Sequence, residues 1–174
     1  MNNIKRLSER MQILFETLLI LAPLAVIAYW TFFEFFSFIG LDYFFPHQLL
    51  TINVKSKILA ILVMSIPTGI VMYGLFKLKK LFTNYAANQI FTQDNVLIYR
   101  KLGIALFALV IADIVNTPLL SLALSFQNPV GSRFVSLGFG LTEIITLIIG
   151  FIVMTISYVM HRAFELEQEA KQCI

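Results

Sequence analysis

NQIFTQDNVLIYRKLG, residues Asn88 to Gly103, carries the punctuation of a well-made helix start, yet it stands between two apolar runs long enough to cross a bilayer. Thr92 is a good N-cap residue, because its hydroxyl can accept an N–H of the first turn. Asp94 follows inside that turn, where a negative charge meets the positive end of the helix dipole. Phe91 and Val96 have the spacing of a hydrophobic staple across the cap. The pattern predicts a helical hairpin: a second helix running to about Ala87, a short polar turn, and a third helix starting near Gln93. Such a hairpin projects a few turns beyond the lipid. Its apolar residues Leu81, Phe82, Ile90, Phe91 and Ile98 then need cover from headgroups, from the C-terminal helix or from another protein.

Composition agrees with a lipid setting. Of 174 residues, 59% are hydrophobic and 13% charged, with mean hydropathy +0.84. A soluble domain averages about 45–50% apolar and about 25% charged residues. The net charge of +3 does not point to nucleic acid, because the basic residues crowd the edges of apolar runs, as at Lys77, Lys79, Lys80, Arg100 and Lys101. The single cysteine, Cys173, excludes an intrachain disulfide and is misplaced for a prenylation box. Lys5, Arg6 and Arg10 precede an apolar run in the manner of a signal peptide. That run is too long and lacks a small-x-small cleavage site, so a retained span is expected.

A bilayer core of ~30 Å needs about 20 helical residues. Four segments meet that length, at about 13–39, 58–76, 102–126 and 134–160, with a tail over 161–174. The expected fold is an all-α, four-span transmembrane bundle forming one membrane domain. The first segment is overlong, and Glu34 suggests that its end emerges into the interface. Tyr29, Trp30, Phe32, Phe33, Phe35, Phe36 and Phe38, continued by Tyr43, Phe44 and Phe45, read as an aromatic belt at that interface, ahead of a ligand-stacking box. Pro23, Pro67 and Pro118 fall inside spans and are expected to kink them. Ten of the thirteen basic residues lie on the side of the two termini and the second loop; only Lys55, Lys57 and Arg133 lie on the other. That excess predicts a membrane protein with both termini in the cytoplasm.

Ile90-Phe91-Thr92-Gln93-Asp94-Asn95-Val96, followed by Arg100-Lys101-Leu102-Gly103, resembles the signature of a bacterial membrane family catalogued as domain of unknown function 2975. That family is similar in its roughly four spans, its "I-F-T-x-x-N" turn between the middle two, and an acidic C-terminal segment, matched here by Ala163-Phe164-Glu165-Leu166-Glu167-Gln168-Glu169. The likeness is strongest over 75–103 and 138–169. It departs at Asn88, where glycine is expected, and at the ending Ala170-Lys171-Gln172-Cys173-Ile174. The resemblance implies membrane residence and genes beside small helix-turn-helix regulators, and it implies no enzymatic activity.

Polar groups inside the spans form the second candidate site. Asp113 lies roughly 16 Å from the inner edge of the third span, near the midplane. An aspartate there costs about 2.5–3.5 kcal/mol to insert, while each Leu, Ile, Phe or Val returns roughly 0.3–0.6. The span is therefore expected to insert with help from its neighbours. Asn116 and Thr117 share the face of Asp113. Glu143, about 13 Å from the outer edge against about 19 Å for Asp113, is the expected partner. Two carboxyls approaching in low dielectric cannot both carry charge cheaply. A proton- or cation-linked site is one reading; a hydrogen-bonded network holding helices together is the other. In the fourth span, Gly138, Thr142, Thr146 and Gly150 recur every four residues, a stripe that permits close approach by a helix of this chain or of a second copy.

No catalytic, cofactor-binding or metal site is expected. His47 and His161 lie on opposite sides of the proposed membrane, and His161 is expected to favour the C-terminal end of the fourth helix. No phosphate-binding glycine loop or HExxH is present. Gly138-Phe139-Gly140-Leu141 has leucine where an intramembrane aspartyl protease carries aspartate. The expected function is a non-catalytic regulatory or scaffold protein with no direct nucleic-acid contact. It engages a regulator or membrane subunit through Phe91, Thr92, Asp94, Asn95 and Arg100 together with the tail glutamates Glu165, Glu167 and Glu169. Those glutamates are also placed to meet the basic ring of Lys79, Lys80, Arg100 and Lys101. The alternative is a small proton- or ion-coupled permeation protein using Asp113, Asn116 and Glu143.

Overall fold

The computed structural model describes residues 2–33, 35, 53–126 and 133–172. Glu34, Phe36, Phe38, Tyr43, Phe44, Phe45, His47 and Cys173 lie outside the described residues. Four helices account for most of what is described: α1 (Asn2–Thr31), α2 (Val54–Ala86), α3 (Gln93–Ser125) and α4 (Leu141–Gln172). Unbroken runs of Leu, Ile, Val, Phe and Ala leave most of their surfaces apolar. Leu62, Ile111 and Phe151 are each at least 64% exposed, as side chains are when lipid rather than protein covers them. All four are long and apolar enough to cross a membrane.

At 33 residues, α2 and α3 are about 50 Å long, well beyond a ~30 Å core. The surplus forms the hairpin expected from the opening stretch, with the bounds at Ala86 and Gln93 close to those read from the caps. Pro23, Pro67 and Pro118 lie within continuous helices. Beside the last two, the hydroxyls of Thr68 and Thr117 donate to the carbonyls of Met64 and Asp113, a local adjustment typical of proline in a lipid-embedded helix.

Among the described residues each helix packs against its neighbours in sequence: α1 on α2, α2 on α3, α3 on α4. The close backbone packing thus follows chain order. Two clusters hold it. At the end away from the hairpin, Trp30 of α1 and Phe33, just beyond its end, pack with Ala60 of α2 and Leu120 and Leu124 of α3. At 2% and 4% exposed, Trp30 and Phe33 are core residues, correcting the belt assignment for that pair; Phe32 and Phe35, each 61% exposed, fit it. The aromatic run divides because a helix turns its faces every 3.6 residues, so neighbours in sequence face opposite media. At the hairpin end, Leu81 of α2 packs on Ile98 and Leu102 of α3, with Val153 of α4 against them.

The largest departure from expectation lies before α4. Residues 134–140, assigned from sequence to the fourth span, are not helical. They run along the last turns of α3: Ser125 Oγ donates to Phe134 O at 3.1 Å, Ser121 Oγ accepts from Ser136 N at 2.9 Å, and a Cβ on Gly138 would lie 3.0 Å from Thr117. Two residues of the segment thus match four of the helix, an advance of about 3 Å per residue, which is extended chain. Exposure alternates accordingly, with Phe134, Ser136 and Gly138 inward and Val135, Leu137 and Phe139 outward.

Candidate functional site

The hairpin turn is built from its own motif. Asn88 has φ 59°, a left-handed conformation. Its N–H donates to Tyr85 O and the N–H of Gln89 to Asn84 O, which closes α2 in a Schellman motif. Glycine suits such a position best, and asparagine is the side chain that tolerates it, so the departure at Asn88 keeps the geometry. Thr92 caps α3 by accepting from the Asn95 N–H at 3.3 Å. Asn95 is fully buried: its Nδ2 donates to Gln89 O and Ile90 O, and its Oδ1 accepts from Asn84 Nδ2, each at 2.7 Å. Asp94 accepts from Lys80 Nζ at 2.9 Å and Asn84 Nδ2 at 3.0 Å, bonds that hold its carboxyl below the usual carboxylate range.

Most of the apolar residues that needed cover have it within the chain. Leu81 and Ile98 are buried, and Phe82 lies against Phe15 of α1 at 5.5 Å between ring centroids. Phe91 is the exception at 46% exposed. Among the residues of the I-F-T-x-x-N pattern, Ile90 supplies a carbonyl to Asn95, Thr92 caps and Asn95 pins; Phe91 has no comparable internal task.

The tail does extend α4, as expected, through Gln172. His161 therefore sits inside the helix rather than at its end. It lies 3.4 Å from Glu165, which also pairs with Arg162 at 3.0 Å. Lys79 pairs with Glu16 of α1 and Lys80 with Asp94. The expected tail-to-ring pairing is thus replaced at Glu165, Lys79 and Lys80 by shorter-range partners. Glu167 is half-buried and Glu169 exposed on the same helix, while Arg100 borders a groove of about 380 Å³ between α3 and α4 with Tyr158 and His161.

Asp113, Asn116 and Glu143 are brought together. All three line a cavity of about 460 Å³ to which every helix contributes. Because α4 begins at Leu141, Glu143 lies in its first turn and not two turns deep as helical counting from Phe134 implies. Its Oε2 accepts from Gly140 N at 2.6 Å, the back-reaching half of a capping box, so this carboxylate serves the positive end of α4. Asn116 is 7% exposed; its Nδ2 donates to Met64 Sδ of α2 at 3.1 Å, while its buried Oδ1 has no hydrogen-bond partner.

The four-residue stripe is interrupted by the same feature. Gly138 lies outside α4, in the extended segment, where it admits Thr117. Thr142 borders the cavity, and Thr146 donates to Thr142 O. Only Gly150 makes the close helix approach, against Leu106 and Phe107 of α3. Its neighbour there is Gly103, where an added Cβ would meet Met154 at 2.6 Å. From sequence Gly103 was read only as the last residue of the family signature and not as a packing site, although a glycine spaced one turn from Phe107 on an otherwise bulky helix is the signal for it.

These helices and their two polar centres define an all-α, multi-pass membrane protein. The chain belongs to the family described as protein of unknown function (DUF2975), whose model matches residues 12–174. No curated protein and no solved structure matches the chain.

Proposed function

We propose that this is a non-catalytic regulatory or scaffold protein of the bacterial inner membrane, with both termini in the cytoplasm. It works by presenting its hairpin to a protein partner there. The observation that carries the reading is Phe91: a large apolar ring, 46% exposed, on a turn whose other motif residues are spent on holding it rigid. A pre-ordered turn loses little entropy when a partner's apolar pocket closes on the ring. The lysine and arginine excess beside the hairpin and the termini supports the cytoplasmic placement. Glu165, Glu167 and Glu169 on the extended α4 supply the acidic flank of the same end.

Photocrosslinking from a benzoylphenylalanine at position 91 in native membranes tests this. The expected product is an adduct with a second protein, whose recovery falls at least tenfold when the three glutamates are reversed in charge. Adducts confined to lipid would overturn the reading. The rival, proton- or ion-coupled permeation through Asp113, is separated by Asp113→Asn: a scaffold keeps its partner and topology in that variant.

A further inference from the structure

The cavity between the four helices has an imbalance of hydrogen-bonding groups. Its α1 and α2 walls are mainly apolar, with Val26, Met64 and Val71, and the one hydroxyl there, Thr68, donates to its own helix. The α3 and α4 walls carry the acceptors. Glu143 is engaged with the start of α4. Among the described residues nothing hydrogen-bonds the Asp113 carboxylate, and the Asn116 Oδ1 is buried and unpartnered. The opposite amide orientation would set Oδ1 against the Met64 sulfur, lone pair to lone pair, so the acceptor is the atom left over. Among the described residues no lysine, arginine or histidine lines the space. Leaving such acceptors unmet is costly, and a ligand that supplies N–H donors and positive charge removes the cost.

Size narrows the class. A space of about 460 Å³ falls in the range of small-molecule sites, ~300–1,000 Å³, and far exceeds what a bare ion fills. Among the described residues no group of three metal-ligating side chains exists. We infer that the cavity binds a small amphiphilic ammonium: its charged nitrogen pairs with the Asp113 carboxylate, and its apolar body lies on Val26, Met64 and Val71. This site is independent of the hairpin and stands or falls without it.

The probe is 2-phenylethylammonium, cationic at pH 7, titrated calorimetrically into the full chain in phosphatidylcholine nanodiscs. Its neutral isostere 2-phenylethanol and sodium chloride serve as comparisons. Saturable binding of the ammonium, at least tenfold tighter than the alcohol, is expected. Asp113→Asn should weaken it at least tenfold, and Asp113→Glu should restore part of it. Should Asp113→Asn unfold, the Asp113→Glu result and the ammonium-to-alcohol ratio still decide. Equal affinity for ammonium and alcohol would overturn the assignment, as would binding unchanged in the folded variants, or sodium alone displacing the probe.

Discussion

Asn88 shows how much one backbone angle explains. A left-handed residue costs roughly 1–2 kcal/mol for an ordinary L side chain, less for asparagine and least for glycine. Asn88→Gly should therefore be neutral or slightly stabilising, whereas Asn88→Val should lower unfolding stability by about 1–2 kcal/mol, read by thermal or denaturant unfolding in detergent. Asp94 gives the pH dependence. Hydrogen bonds from Lys80 and Asn84 lower its folded pKa, so its contribution is complete above the unfolded value, ~3.9, and is lost as pH falls through the depressed folded value. With the pair about half exposed, that contribution is at most ~1 kcal/mol. Asp94→Asn should remove this share of the acid sensitivity while leaving behaviour at pH 7 to 8 parallel to the parent.

Among elements, the hairpin was legible in the sequence and the start of α4 was not. Thr92, Asp94 and the apolar runs beside them are local signals, and helix caps are decided locally. Residues 133–140 are as apolar as a span, which hydropathy cannot tell from a helix. Their alternation, Phe134, Ser136 and Gly138 against Val135, Leu137 and Phe139, is the period-two signal that could have separated them. Recognising that Ser121 and Ser125 supply the hydrogen bonds requires the tertiary pairing, which sequence spacing alone does not give. The candidate polar residues were readable as types, but the helix start that converts Glu143 into a cap was not. Ser121→Ala should leave the Ser136 N–H without a partner and cost about 1–3 kcal/mol. Ser121→Thr, which keeps the hydroxyl, should cost less. Unfolding of the two variants side by side separates the lost bond from a packing effect.

For the whole molecule, threading across the bilayer is the proposal with the most direct check. Cys173 is the sole thiol in the sequence, so it reports the side of the C-terminus without engineering. In intact bacterial spheroplasts a membrane-impermeant maleimide should leave it unmodified, and permeabilisation should expose it. Labelling before permeabilisation would reverse the assigned orientation. The charge asymmetry is what predicts this orientation, because lysine and arginine are counted by position and not by contact. The packing order was not legible, since any of several arrangements of four apolar rods satisfies the same pattern.

The chain-order packing also has a temporal meaning. Each helix packs on the one before it in sequence, an arrangement that allows assembly in the order of translation. On that order, α2 would be available to α3, which carries the costly Asp113, with the Met64 sulfur there for Asn116. Nascent chains released after α3 should therefore hold that helix in the membrane, whereas deleting α2 should leave it stranded at the exit of the insertion machinery.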